Sequence, residues 1–299
     1  MSESQRRRAS DFDAYAPPEV AARVESAGVT KAKLPVFRTL TLGVLAGAFI
    51  AFGGMFYTLV LVGSDLGLGP GRLLGGIAFS LGLILVVIAG AELFTGNNLI
   101  VMAWAERRIS TLLMLRNWGL VYVANLVGAL GMVALVISSG VLGLGDGAFA
   151  ATAVRIAEAK VNLSFIEAFF RGVLANTLVC LAIWLCYAAH TVTDKILAIV
   201  FPVSAFVALG FEHSIANMYL IPVGMLSAMG EVSAGLTVGG WIGNLVPVTL
   251  GNIVGGGVFV AAVYWVIYLR GKKESPVPRQ PKAASRFLRR RASPSALDP

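Results

Sequence analysis

Long uncharged stretches alternate with short polar ones along this chain, and the apolar stretches show no period-two alternation. A helix crosses a hydrocarbon core with about 20 mostly apolar residues, and six stretches supply that length. Thr39 to Gly63 is the first, Asn117 to Gly145 contains the third, the fourth runs from Gly172 to about Thr193, and the last lies inside Val232 to Leu269. The second and fifth, Leu73 to Ala105 and Ile196 to about Gly230, exceed one crossing, and each carries a glutamate near its middle, Glu92 and Glu212. These two read as broken helices. Membrane barrels use alternating strands of about ten residues, so the predicted fold is all-α and polytopic, with six transmembrane helices. A surface helix is expected over Pro18 to Ala27.

The halves of the chain repeat one another. Gly43-Val44-Leu45-Ala46 recurs as Gly172-Val173-Leu174-Ala175, 129 positions on. Gly90-Ala91-Glu92 with Asn97 is answered by Gly210-Phe211-Glu212 with Asn217, and Asn125-Leu126-Val127-Gly128 by Asn252-Ile253-Val254-Gly255. A unit with an odd number of crossings places its second copy upside down, so two inverted three-helix repeats are expected. Interrupted spans at matching positions of such repeats point to a substrate site near the midplane.

Composition agrees: 57% of residues are hydrophobic and 13% charged, against roughly 25% charged in an average soluble domain. That mix excludes an ordinary soluble enzyme and a disordered chain. Of the 24 Lys and Arg residues, only Arg72, Arg155, Lys160 and Arg171 fall on the side opposite the termini. The positive-inside bias then makes both termini cytoplasmic, in a cell inner (plasma) membrane. The expected organisation is a cytoplasmic segment over 1–36, a channel domain over 37–270, and a disordered basic tail over 271–299. No cleaved leader is expected, because the apolar run begins some thirty residues after Arg6, Arg7 and Arg8. Beside membrane spans the basic tail suits anionic lipid rather than nucleic acid.

Few groups are available for chemistry. His213 and the two glutamates are the ionisable residues well inside spans, and a buried ionisable group in a membrane is a functional candidate. Glu92 and Glu212 fit either a cation site or anchors that accept N–H groups of a helix break, with Asn97 and Asn217 beside them; their matching positions favour anchors. Thr95 and Asn98 offer polar groups after the first break. Phe79, Leu83, Phe94 and Phe206 lie on the interrupted spans, where apolar side chains can narrow a pore. Cys180 and Cys186, six apart on one helix, read as packing residues. No cofactor or metal motif is present, no nucleotide loop occurs, and an enzyme is not expected.

At these residues the sequence resembles the formate/nitrite transporter family, through Ala91-Glu92-Leu93-Phe94-Thr95-Gly96 and Gly210-Phe211-Glu212-His213-Ser214-Ile215-Ala216-Asn217-Met218. Supporting likeness covers about residues 10 to 270. The resemblance implies an aquaporin-like fold, a homopentamer with one pore per protomer, and no cofactor. It also implies roles: His213 as the central pore histidine with Thr95 as its partner, and Asn176 beside the histidine. Phe79 and Leu83 would form the constriction toward the cytoplasm; Phe94, Val179 and Phe206 would form the one toward the outside. Lys160 would be a vestibule lysine at the outer mouth, and the segment before Pro35 a cytoplasmic gate.

A bare anion in a dry apolar ring is costly and a neutral acid much less so. The resemblance implies a small monovalent anion of a weak acid as substrate, formate ahead of nitrite, hydrosulfide, acetate or lactate, and this cost suggests that it passes with a proton. His213 either donates that proton or stabilises the anion until water supplies one. Two rival readings remain, a neutral-solute pore and a metal-binding membrane enzyme or receptor; one His with two anchored carboxylates is a poor shell for zinc.

Overall fold

Helices form where the apolar runs lie. The computed structural model describes residues 14–228 and 235–271, so the basic tail from 272 and Arg6 to Arg8 fall outside the described residues. Within them the chain is helical, with no strand. In chain order the helices are α1 (Pro17–Ala32), α2 (Val36–Leu61), α3 (Leu68–Leu85, continued by a π-helical turn over Val86–Gly90), α4 (Val101–Ala105, entered through a 3₁₀ turn over Gly96–Ile100), α5 (Thr111–Ser138), α6 (Ala148–Val161), α7 (Phe165–Ala188), α8 (Val192–Ala208), α9 (Ser214–Ser227), α10 (Val238–Ile253, continued by π-helical Val254–Ala262) and α11 (Val263–Tyr268).

Among the described residues five helical stretches are long and apolar enough to cross a membrane: Val36–Leu61, Leu68–Gly90, Thr111–Ser138, Phe165–Ala188 and Val238–Tyr268. The stretch read as a broken fifth crossing, Ile196 to about Gly230, holds most of α8 and all of α9, of 17 and 14 residues. Two expectations need correcting at helix starts. The third span begins at Thr111 rather than Asn117, because Ser110 caps it by accepting from the Leu113 N–H. The fourth begins at Phe165 rather than Gly172, because Ser164 and Glu167 form a capping box, which satisfies free N–H groups at both positions.

The N-terminal helix also differs from expectation. It runs from Pro17 to Ala32, longer than expected, and packs one face inward: Val20, Ala21, Val24 and Ala32 are buried, while Pro17, Pro18 and Glu19 are exposed. At Gly28 an added Cβ would stand 3.2 Å from Ala103 Cβ and 3.4 Å from Ile100 Cα, so α1 lies directly on the 3₁₀ turn and α4.

Two close crossings organise the core. Helix α2 meets α5 where Gly47 and Gly128 face backbone, and α7 meets α10 at Gly251 and Gly255; added Cβ atoms would collide with the carbonyls of Asn125, Val44, Phe169 and Val173 respectively. Small residues let membrane helices approach this closely. Both crossings are tied by an asparagine: Asn125 Nδ2 donates to the Gly43 carbonyl at 2.8 Å and Asn252 Nδ2 to the Gly172 carbonyl at 2.8 Å. Gly128→Leu or Gly255→Leu pushes a side chain against backbone that cannot yield, which costs well above the ~1–3 kcal/mol of ordinary overpacking. Size-exclusion chromatography after detergent extraction should therefore show the folded peak lost for both variants; a wild-type profile would contradict the crossing geometry.

Candidate functional site

The helical run through α3 stops at Gly90 (φ +83°) and that through α8 stops before Gly210 (φ +70°), conformations that favour glycine. After each stop comes one glutamate, and its surroundings match between the two places. Glu92 N–H donates to the Leu42 carbonyl and Glu212 N–H to the Arg171 carbonyl, both at 3.2 Å. Asn125 donates to the Glu92 carbonyl at 2.9 Å and accepts from Phe94 N–H; Asn252 donates to the Glu212 carbonyl at 3.0 Å and accepts from Ser214 N–H.

The glutamate side chains do not accept the N–H groups of the breaks, as the anchor reading had it. Glu92 Oε1 accepts from Lys31 Nζ at 2.7 Å and its Oε2 from Asn97 Nδ2 at 2.7 Å. Glu212 Oε1 accepts from Lys160 Nζ at 2.8 Å and its Oε2 from Asn217 Nδ2 at 2.6 Å. Each asparagine leans on another, Asn97 on Asn117 and Asn217 on Asn244, which in turn donate to the carbonyls of Lys31 and Lys160. Buried charges are tolerated when paired and hydrogen-bonded in this way.

Sequence reading missed Lys31, Asn117 and Asn244 as members of these brackets. A signal existed: Lys31 and Lys160 are 129 apart, like Gly43 and Gly172, and Asn117 and Asn244 are 127 apart, like Asn125 and Asn252. Lys160, expected as a vestibule lysine, lines a cavity and its ammonium is engaged by Glu212.

His213 is buried and forms the N-cap of α9: its Nδ1 accepts from the Ala216 N–H at 3.0 Å. A backbone N–H can only donate, so Nδ1 carries the lone pair and the neutral ring bears its hydrogen on Nε2. That Nε2 lies 2.8 Å from Thr95 Oγ1, across 118 positions of sequence. Thr95 is held in turn by its carbonyl, which accepts from Asn176 Nδ2 at 3.2 Å and Cys180 Sγ at 3.4 Å. Asn176 also donates to Asn98 Oδ1 and to the Asn252 carbonyl, so it fixes the turn that carries Thr95. Both cysteines are free and buried.

The aromatic members of the expected constrictions meet as follows. Phe79 faces Phe206, edge to face at 5.8 Å, and also Tyr57 at 6.3 Å; Phe206 stacks on His213 at 6.0 Å. Phe94 packs instead on Trp118 and Tyr122. The rings of Phe79 and Phe206 thus meet directly, whereas that of Phe94 lies with Trp118 and Tyr122. Leu83 and Val179 are buried in the same apolar core.

Two cavities flank this core. One, of about 480 Å³, lies under α1 and is lined by Lys31, Val86, Glu92, Leu93, Asn97 and Lys195 among others. The other, of about 570 Å³, is lined by Tyr57, Arg72, Arg155, Lys160, Arg171 and Glu212 among others. All four basic residues assigned to the side opposite the termini thus meet at one cavity. Neither cavity's lining includes His213 or Thr95, whose sequence neighbours Glu212 and Gly96 line opposite ones. Among the described residues no group of three His, Cys, Asp or Glu is placed to hold a metal ion.

Comparison with known proteins places this geometry. A family model described as "Formate/nitrite transporter" matches residues 18–266. The formate channel FocA of Escherichia coli (strain K12) is 44% identical over 274 residues, covering 87% of this chain and 96% of that protein. A probable formate transporter of Methanothermobacter thermautotrophicus is 41% identical over 271 residues, covering 85% and 97%. Among solved structures, a pentameric formate channel with formate bound aligns with TM-score 0.72 at 39% identity, covering 79% of this chain and 98% of that one. An ion channel of the FNT family aligns with TM-score 0.75 at 31% identity, covering 83% and 98%. With this match over most of its length and its several membrane-length apolar helices, the chain is a multi-pass membrane protein that belongs to the formate/nitrite transporter family, whose members are channels and transporters rather than enzymes.

Proposed function

We propose that this protein is a channel for small monovalent anions of weak acids, formate first and nitrite second, in which each anion passes with a proton. The observation that carries the reading is the His213–Thr95 pair, 2.8 Å apart and buried, with the adjoining Glu212 and Gly96 each lining a different cavity. An anion leaving either cavity gives up water to apolar surroundings, a cost that neutralisation removes. Phe79 and Phe206 narrow the way from the arginine-lined cavity, and Leu83, Phe94 and Val179 narrow it from the cavity under α1. In the narrow part the Nε2–H of His213 and the Thr95 hydroxyl are the donors that hold the anion. A second proton on the ring would have to sit on Nδ1, against the Ala216 N–H. The geometry therefore favours a neutral imidazole that stabilises the anion until water protonates it, over a ring that donates its own proton.

In this reading six crossings span a cell inner membrane. Helices α8 and α9 together supply the fifth, and Leu68–Gly90 with Gly96–Ala105 the second, so both are broken helices. The paired hydrogen bonds about Glu92 and Glu212 support two inverted three-helix repeats, aquaporin-like in plan. Both termini are cytoplasmic, which puts the arginine-lined cavity outside. Solvation by the lipid bilayer is read from exposed apolar side chains such as Phe37, Leu112 and Phe201, and five protomers from the pentameric relative. Residues 1–36, including α1 over one cavity, form the cytoplasmic segment ahead of the channel domain 37–270.

The test is uptake of labelled formate by proteoliposomes against protein-free vesicles. Saturable uptake that rises as external pH falls and is inhibited competitively by nitrite is expected. Swelling in glycerol with no formate uptake would instead make the molecule a neutral-solute pore.

A further inference from the structure

We infer that the arginine-lined cavity contains an anion-binding station, formed by the guanidiniums of Arg72 and Arg171 on either side of Gly210, which captures a small carboxylate before it reaches the Phe79–Phe206 pair. The inference rests on the channel reading above and moves the task of collecting anions away from Lys160.

The charges decide this. Lys160 is 2.8 Å from Glu212, which is the only carboxylate among the described residues lining the cavity. That pair is close to neutral as seen from the cavity. Among the described residues the ion pairs within 4.0 Å are Lys31–Glu92, Arg108–Glu25 and Lys160–Glu212, and none involves Arg72, Arg155 or Arg171. Glu167, one turn before Arg171 on α7, has its Oε2 turned to Ser164 in the capping box. The cavity therefore presents three guanidinium charges.

Two of these converge. Arg72 Nη1 donates to the Ala208 carbonyl and Arg171 Nη1 to the Gly210 carbonyl, each at 3.4 Å. The last carbonyls of α8 attract cations through the helix dipole, but a neutral carbonyl occupies one of the five N–H donors of a guanidinium and leaves its charge intact. A Cβ on Gly210 would lie 3.5 Å from Arg72 Nη1 and 3.9 Å from Arg171 Nη1. The two nitrogens are therefore no farther apart than the sum of those distances. A small carboxylate accepting from both sides fills such a span and relieves the repulsion between them. Arg155, whose Nη2 donates to Thr152 Oγ1, adds its field at the same cavity. Val207 and Gly210 line the cavity next to Phe206 and Phe211, so an anion held here waits at the entrance to the apolar path.

Formate uptake by proteoliposomes, with substrate on the side of this cavity, tests the station at several salt concentrations. For the wild type, KM should rise with salt as the arginine field is screened. The double variant Arg72→Gln/Arg171→Gln should raise KM about tenfold at low salt, lower the maximal rate far less, and flatten the salt dependence. Arg72→Lys/Arg171→Lys, which keeps both charges, should restore the salt dependence. A Gln double variant with wild-type KM and salt dependence refutes the station, as does one that loses maximal rate at unchanged KM. A wild type that takes up no formate refutes the channel reading itself, so the two failures are distinguishable.

Discussion

His213→Ala should slow formate uptake by proteoliposomes about 10²-fold, the low end of what removing one preorganised hydrogen-bond donor to an anion costs, and alter its dependence on pH. The argument is local. In the proposed path Nε2–H and the Thr95 hydroxyl, 2.8 Å apart, are the groups that would donate to the anion, and the Phe206 ring stacked on His213 offers it no donor. Without the imidazole the anion meets an apolar partition unaided. The substitution also removes the acceptor that caps α9, a loss of roughly 1 kcal/mol, so chromatographic profile and thermal stability should be measured beside flux. A small stability loss with a large flux loss separates the two roles. Flux and pH response both at wild-type level would show that the anion does not pass this ring.

Lys160→Met should be the more damaging change to the fold. It leaves Glu212, with only 4% of its side chain exposed, as an uncompensated charge, and breaking a buried pair from one side costs about 3–5 kcal/mol. Asn217 and Asn244 would still donate to the carboxylate, but neither carries charge. The double variant Lys160→Met/Glu212→Gln removes both charges and should recover most of the stability, because the two amides can still be bridged by Asn217. Thermal unfolding in detergent of the wild type, both single variants and the double variant closes the cycle. If the single and double variants unfold alike, the bracket is not held by the ion pair. The same cycle at Lys31 and Glu92 should show a smaller effect, since the Lys31 side chain is 29% exposed against 14% for Lys160.

Membrane-length helices were legible because a hydrocarbon core imposes a length that apolar runs such as Val36–Leu61 display directly. Their starts were less so: the Ser164 to Glu167 capping signal is polar, and it extends a helix beyond the apolar run by which the helix was recognised. Helix α1 was visible as a helix but not as a packed one, since its small buried face of Val20, Ala21, Val24 and Gly28 looks like mixed surface composition in one dimension. Glu92 and Glu212 stood out because ionisable groups are rare in spans. Their lysine partners did not, because Lys31 lies 61 positions and Lys160 lies 52 positions away and nothing local links them. The pairing of Phe79 with Phe206 is likewise tertiary: it depends on how deep two helices sit against each other. Arg72, Arg155 and Arg171 were counted as charges on one side, and only the fold shows that they share a cavity.

The central claim, that a weak-acid anion crosses together with a proton past a neutral His213, is tested most directly in sealed proteoliposomes holding a pH-sensitive dye and given labelled formate. The account predicts internal acidification in step with uptake of label, one proton per formate, beyond what protein-free vesicles show, and faster as external pH is lowered. Label entering without acidification, driven by membrane voltage and indifferent to external pH, would contradict it.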